Sequence, residues 1–362
     1  VNDYSSTKPG KQTFAWLINK NGLVLKKVIF SCVLLVVSVV VLHVSAELVY
    51  SLFISEKVPY KYDRELGWVP KSDFVLHKNA YDNFGHEYNV DVSTNSNGFR
   101  SWGKIHTDKK KILFIGDSFT GDPNMSDEES YFGKVGKLTG YEIFAYGAGG
   151  YGTLQELIIL KKYVNIINPD VFVLQFCGND FENNSIGLEG DSIVRNQKNL
   201  RPYFNGVKVI YRVPDDNWYR YLYIHSVVFR LSDIILQNMQ YKIYNDYRSN
   251  SDSEKEKINR EMSKSVRITG TLLKMMANAV PRETRLASFT CDTEDPAMTE
   301  RWVDIDKEAG FAAYPDVSLA VEKAEREGAS VRAADGGHWG PGGNIIAGRI
   351  LARDITKLLK VD

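Results

Sequence analysis

Apolar residues in this chain fall into one long run and several short ones. The long run, Val28 to Ala46 (VIFSCVLLVVSVVVLHVSA), contains no Asp, Glu, Lys or Arg. About 19 residues at ~1.5 Å rise make a helix close to the ~30 Å hydrocarbon thickness of a bilayer. Lys20, Lys26 and Lys27 precede it, with Lys8 and Lys11 further back, and such basic residues stay on the cytoplasmic side. We therefore read residues 1–27 as a cytoplasmic tail and 28–46 as a transmembrane signal anchor. The remainder then lies outside the cytoplasm, in a periplasm or at a cell surface, as a single-pass membrane protein. A signal peptide cut after Ala46 is the alternative, and the long leader ahead of the apolar run weighs against it. A buried core helix rarely keeps apolarity unbroken for this length.

The short runs carry a different pattern. Lys111–Ile115, Tyr141–Tyr146 and Val171–Cys177 are each closed by a glycine (Gly116, Gly147, Gly178) and read as buried strands. Helical spacing fills the gaps, at about Ser130–Leu138 and Thr153–Ile167. Arg285–Cys291 and Ala329–Ala333 are two later strand candidates, with helices around Pro315–Gly328 and Asn344–Leu359 flanking the second. Gly328 falls where a helix end favours a left-handed residue. Strands alternating with helices predict an α/β fold, three layers around a five-stranded parallel sheet. The main domain is residues 109–362. Residues 47–108 read as a connecting region of irregular structure packed on it. Residues 182–268 break the alternation and read as an insertion, with an aromatic cluster (Trp218–Tyr223) and a charged stretch (Ser251–Arg260), of the kind that forms lids or binding walls.

Composition narrows the function classes. With 45 basic and 45 acidic side chains the formal net charge is zero, which argues against general nucleic-acid binding. Of the three cysteines, Cys32 lies in the apolar run. Cys177 and Cys291 sit in predicted strands, and we read them as buried free thiols rather than a disulfide. No CxxC or Cys/His cluster suggests zinc, and we expect neither metal nor cofactor.

Open parallel sheets bind ligands at the C-terminal ends of their strands, and four such ends here are chemically loaded. They are Gly116-Asp117-Ser118-Phe119, Gly147-Ala148-Gly149-Gly150-Tyr151-Gly152-Thr153, Gly178-Asn179-Asp180, and Asp335-Gly336-Gly337-His338. Taken in order, the set resembles the SGNH, or GDSL-type, hydrolase and acyltransferase family, over roughly residues 109–358. Ser118 matches the first block, Gly150 the second, Asn179 the third, and Asp335 with His338 the last; Phe119 stands where many members carry Leu. The resemblance implies a flavodoxin-like sheet, a Ser118 nucleophile with His338 as base and Asp335 orienting it, and an oxyanion hole from the N–H groups of Ser118 and Gly150 and the Asn179 amide. A serine hydroxyl needs such a base, and imidazole titrates where one is useful. Asp117 reads as a cap of the turn.

Each motif alone has a plainer reading. GDSF can be a capped strand-to-helix turn, Asn179-Asp180 a turn, and His338 structural. Gly147–Gly152 also satisfies GxGxxG, although Asp180 lies later than the usual ribose-binding acid. The combination favours an esterase acting on ester-linked acyl groups, foremost acetyl on a glycan, through an acyl-serine. An O-acyltransferase modifying a cell-surface polysaccharide, with a membrane partner supplying the acyl donor, is the alternative; a non-catalytic binding protein on the same fold is the second. The aromatic cluster could serve as a sugar platform or simply as core.

Overall fold

The computed structural model describes residues 11–53, 58–191, 201–211, 218–229, 252–293 and 295–360, with positions 231, 232, 235, 236 and 239. Residues 1–10 of the predicted tail, Lys8 among them, and parts of the predicted insertion lie outside the described residues.

Helix α1 spans Lys11–Phe53. Its segment Leu25–Phe53, 29 residues of mean hydropathy 2.7, is long and apolar enough to cross a membrane. The helix continues past Ala46, so the apolar run read from the sequence sits inside a longer element. None of the side chains of Leu25–Phe53 is buried in the protein, as expected of lipid-facing groups. Beyond it come two antiparallel hairpins, β1 (Tyr60–Asp63) with β2 (Gly67–Pro70) and β3 (Val75–Tyr81) with β4 (Glu87–Ser93). A two-residue strand, β5 (Ser101–Trp102), then joins the main sheet. The connecting region is thus more regular than expected. Burial alternates along β3 and β4, the period of a half-buried strand, and Gly98, at φ +84°, turns the chain after Asn95.

The main sheet contains β6 (Lys111–Gly116), β7 (Glu142–Gly147), β8 (Val171–Phe176), β11 (Arg285–Thr290) and β12 (Ala312–Tyr314), with β5 at one edge. The order β12-β11-β8-β6-β7-β5 is the flavodoxin-like order for the parallel strands. Five strands are parallel, as expected, and β5 adds an antiparallel edge. The fifth parallel strand is a correction. It is Ala312–Tyr314, whereas Ala329–Ala333 stays outside the sheet and contributes isolated bridges from Arg332 to Trp339 and from Ala333 to Asp82. Phe311-Ala-Ala-Tyr314 is too short to stand out as an apolar run, but it pairs with β11 once helix α9 (Pro296–Ala309) has returned the chain.

Side chains alternate across the sheet and seed a core on each side. Leu113, Ile115, Phe172 and Leu174 face α4 (Thr153–Ile167) and α8 (Asp252–Ala279). Ile112, Phe114, Val171 and Val173 face α3 (Tyr131–Thr139), α10 (Asp316–Arg326) and α11 (Pro341–Leu358). These are the three expected layers. Ser130 caps α3 through its hydroxyl, and Gly328 takes φ +89° after α10.

The predicted insertion holds the short helices α5 (Asp180–Asn183) and α6 (Ile186–Asp191), the hairpin β9 (Pro202–Phe204) and β10 (Val209–Tyr211), and α7 (Trp218–His225). It ends earlier than expected, because α8 already belongs to the layer that covers the sheet. After α7, the Ser226 hydroxyl donates to Glu47 of α1 (2.6 Å), and the Val228 N–H reaches the same oxygen (2.9 Å). The aromatic cluster therefore ends beside the apolar helix.

Candidate active site

Strand β6 ends at Gly116, and the chain turns at once into α2 (Ser118–Gly121). A Cβ on Gly116 would fall inside the side chains of Gln175 and Thr120, so only glycine fits there. Asp117 caps α2, accepting the Phe119 N–H at 3.1 Å. Gln175, fully buried in β8, accepts the N–H groups of Asp117 (3.0 Å) and Thr120 (3.2 Å) and the Thr120 hydroxyl (2.9 Å). This single amide oxygen ties the turn around Ser118 to the neighbouring strand. Gln175 was missed in the sequence, although a lone amide inside VFVLQF was a legible sign.

The last motif comes to the same end of the sheet. Asp335 Oδ1 accepts the N–H groups of Gly337 and His338 (both 3.0 Å), and its Oδ2 lies 2.7 Å from His338 Nδ1. The ring of Phe119, next to Ser118 in α2, is 5.0 Å from the His338 ring, and Trp339 packs on Phe119 at 5.1 Å. Gly336, at φ +70°, lets the DGGH turn close. Gly150 also has a positive φ, +73°, and its N–H has no partner among the described residues. Asn179 is the N-cap residue of α5 after β8, near enough to the buried Asp117 carboxylate to act against the rise that burial imposes on its pKa. The turn of Ser118, the loop at Gly150, Asn179 and the Asp335–His338 pair are all carried on the C-terminal side of β6, β7 and β8, around the crevice where the strand order reverses.

Burial alone would depress the His338 pKa, but the charges of Asp122, Asp335 and Asp117 outweigh it, and the imidazole sits above its usual 6.5. Burial would raise Asp335, and its hydrogen bonds from His338 and Gly337 bring it below the ordinary carboxylate value. Asp117, Glu156 and Asp180 lie deep beneath the site. Burial, then mutual repulsion between Glu156, Asp180 and Asp117, drives Glu156 and Asp180 well up. Among the described residues neither carboxyl oxygen of Glu156 has a hydrogen-bond partner, which suits a neutral acid.

These shifts give a pH expectation. Only the neutral ring can accept a proton, so activity should rise with pH through a midpoint above 6.5, the ordinary imidazole value. Asp122 is the largest raising charge, and Asp122→Asn should move that limb to lower pH. The profile of kcat/KM against pH checks this; a limb that stays put or moves upward contradicts the charge assignment.

The cysteines correct the sequence reading. Cys177 and Cys291 form a disulfide, with Cα atoms 5.1 Å apart, and are not free thiols. Phe176 of β8 and Thr290 of β11 are register partners, so the next residue of each strand meets the other across the sheet. Among the described residues one trio of potential metal ligands gathers, Cys177, Cys291 and Asp292, and the sulfur–sulfur bond removes both thiolates from it.

The GxGxxG reading also fails on geometry. The Gly152 N–H is taken by Gln155 Oε1 (3.1 Å), and the Leu154 N–H by Asn184 Oδ1 (3.4 Å). Those are the donors a pyrophosphate would need at the start of α4.

A scan against protein-family models finds no match, and no curated protein matches the sequence. Among solved structures, a lipase/acylhydrolase from Enterococcus faecalis is similar at 16% identity and a TM-score of 0.39, covering 70% of this chain and 98% of that one. TesA is similar at 12% identity and 0.37, covering 69% and 98%. A catalytic mutant of an acetylxylan esterase from Geobacillus stearothermophilus is similar at 14% identity and 0.35, covering 70% and 95%.

Proposed function

We propose that this chain is a serine esterase of the SGNH type, acting on ester-linked acyl groups, foremost acetyl on a glycan, outside the cytoplasm. One observation carries the proposal: the Asp335–His338 pair, bonded at 2.7 Å, stands against the α2 turn that begins at Ser118. Asp335 holds the Nδ1 proton and leaves Nε2 as the base. His338 takes the Ser118 proton as Oγ adds to the ester carbonyl. The N–H groups of Ser118 and Gly150 and the Asn179 amide receive the oxyanion. His338 then returns the proton to the departing sugar oxygen. Water, activated in the same way, releases the acyl group and restores Ser118.

The side chains of His338 and Asp335 remain 30% and 44% exposed, so an extended sugar chain can lie across the pair. The disulfide beside the site suits an oxidising compartment, which fits the orientation given by the lysines ahead of the apolar run at residues 28–46. The apolar helix favours one second reading, acyl transfer from a membrane-borne donor to a polysaccharide hydroxyl in place of water. Purified protein should hydrolyse p-nitrophenyl acetate and form an acetyl-Ser118 adduct visible by peptide mass spectrometry. An adduct on any other residue removes the proposal. Acyl transfer to added oligosaccharide that outruns release to water selects the transferase.

A further inference from the structure

The two glycines that supply the second oxyanion donor are gripped from outside the α/β layers. Residue by residue, the loop leaves little free. The Gly149 N–H donates to the Tyr60 hydroxyl at 2.9 Å. The Gly149 carbonyl accepts the Trp68 indole N–H at 3.0 Å. The Gly150 carbonyl accepts Nη2 of Arg201 at 2.7 Å. Arg201 is itself fully buried, paired with Glu189 at 3.2 Å and lying 5.1 Å over the Trp68 ring. Of the four backbone polar groups on Gly149 and Gly150, only the Gly150 N–H is left without a partner among the described residues.

The Gly149 carbonyl and the Gly150 N–H belong to one planar trans peptide, and they point in opposite directions. Whatever holds that carbonyl therefore aims that N–H. With no Cβ at either position, this peptide could rotate cheaply if it were untethered. Tyr60 adds a second constraint near the nucleophile: a Cβ built on Gly149 would lie 3.5 Å from the Tyr60 hydroxyl and 3.8 Å from the Ser118 Cβ. Burial raises the Tyr60 pKa, so it stays a neutral phenol able to accept the Gly149 N–H.

We propose that Trp68, supported by Tyr60, is a positioning residue for acyl transfer. Its indole N–H locks the Gly149–Gly150 peptide so that the Gly150 N–H is presented to the oxyanion formed at Ser118. The β1–β2 hairpin is then part of the active site and not only a connector. This rests on the Ser118 reading given above.

Trp68→Phe keeps an aromatic ring against Tyr151 and Arg201 but removes the donor. In the chain of residues 1–362 with p-nitrophenyl acetate it should lower kcat about 10- to 100-fold, with KM within about threefold. Affinity for a boronic acid, which forms a tetrahedral oxyanion on serine, should fall in proportion. Tyr60→Phe should act in the same direction, and it decides alone if Trp68→Phe fails to fold by circular dichroism. A kcat within about twofold of the parent, or a loss expressed in KM alone, overturns the positioning role. The two readings fail separately. If Ser118→Ala keeps its activity, the site itself is wrong; if Ser118→Ala is inactive while the folded Trp68 and Tyr60 variants keep full kcat, only the role of the hairpin is wrong.

Discussion

Ser118→Ala should lower kcat/KM for an activated ester by on the order of 10⁴-fold or more, and His338→Ala should cost about as much. The double variant should be no worse than either single one. A nucleophile and its base act as a unit, so removing one leaves the other nothing to do. What activity remains should come from the oxyanion donors and from binding. The fold should survive the serine change, because the turn does not hang on that hydroxyl. Gln175 holds the N–H groups of Asp117 and Thr120, and Asp117 caps Phe119. Steady-state kinetics together with thermal melts test this. Additive losses in the double variant would mean that the two side chains act at separate steps, and a Ser118→Ala protein within about tenfold of the parent would remove the nucleophile.

The central layers were legible because each element is written locally. Apolar runs closed by Gly116, Gly147 and Gly178 are strands, and a capping serine and a left-handed glycine bound the helices. The site motifs were legible for the same reason, since strand ends in an open parallel sheet converge. What escaped depends on contacts between segments distant in sequence. The fifth strand has three residues, and only its pairing with β11 identifies it. The Cys177–Cys291 bond follows from the register of two strands separated by 114 residues in sequence. Tyr60 and Trp68 reach Gly149 across more than eighty positions, and no periodicity in residues 47–108 announces that. Arg201 went unnoticed in the sequence; its complete burial against Gly150 is a property of the folded loop alone. Asp122 lay four residues beyond Ser118 and was passed over, because nothing local showed that it would face His338.

Asp335→Asn is the sharpest test of how the pair is wired, because it preserves the shape and changes one proton. Asp335 does two jobs with two oxygens: Oδ1 closes the turn through the N–H groups of Gly337 and His338, and Oδ2 faces Nδ1. In asparagine the amide oxygen can keep the turn while the NH₂ faces the ring. Nδ1 must then accept, the proton moves to Nε2, and the nitrogen that should take the Ser118 proton becomes a donor. The expected loss in kcat is on the order of 10³- to 10⁴-fold with a melting temperature close to the parent's. Losing the carboxylate also removes one of the charges that raise the His338 pKa, so the residual activity should titrate at lower pH than the parent. Asp335→Ala, by contrast, should lose the turn as well and melt earlier. An Asp335→Asn protein within about tenfold of parental kcat would show that the half-exposed ring finds its tautomer without the carboxylate, and that Asp335 serves the turn alone.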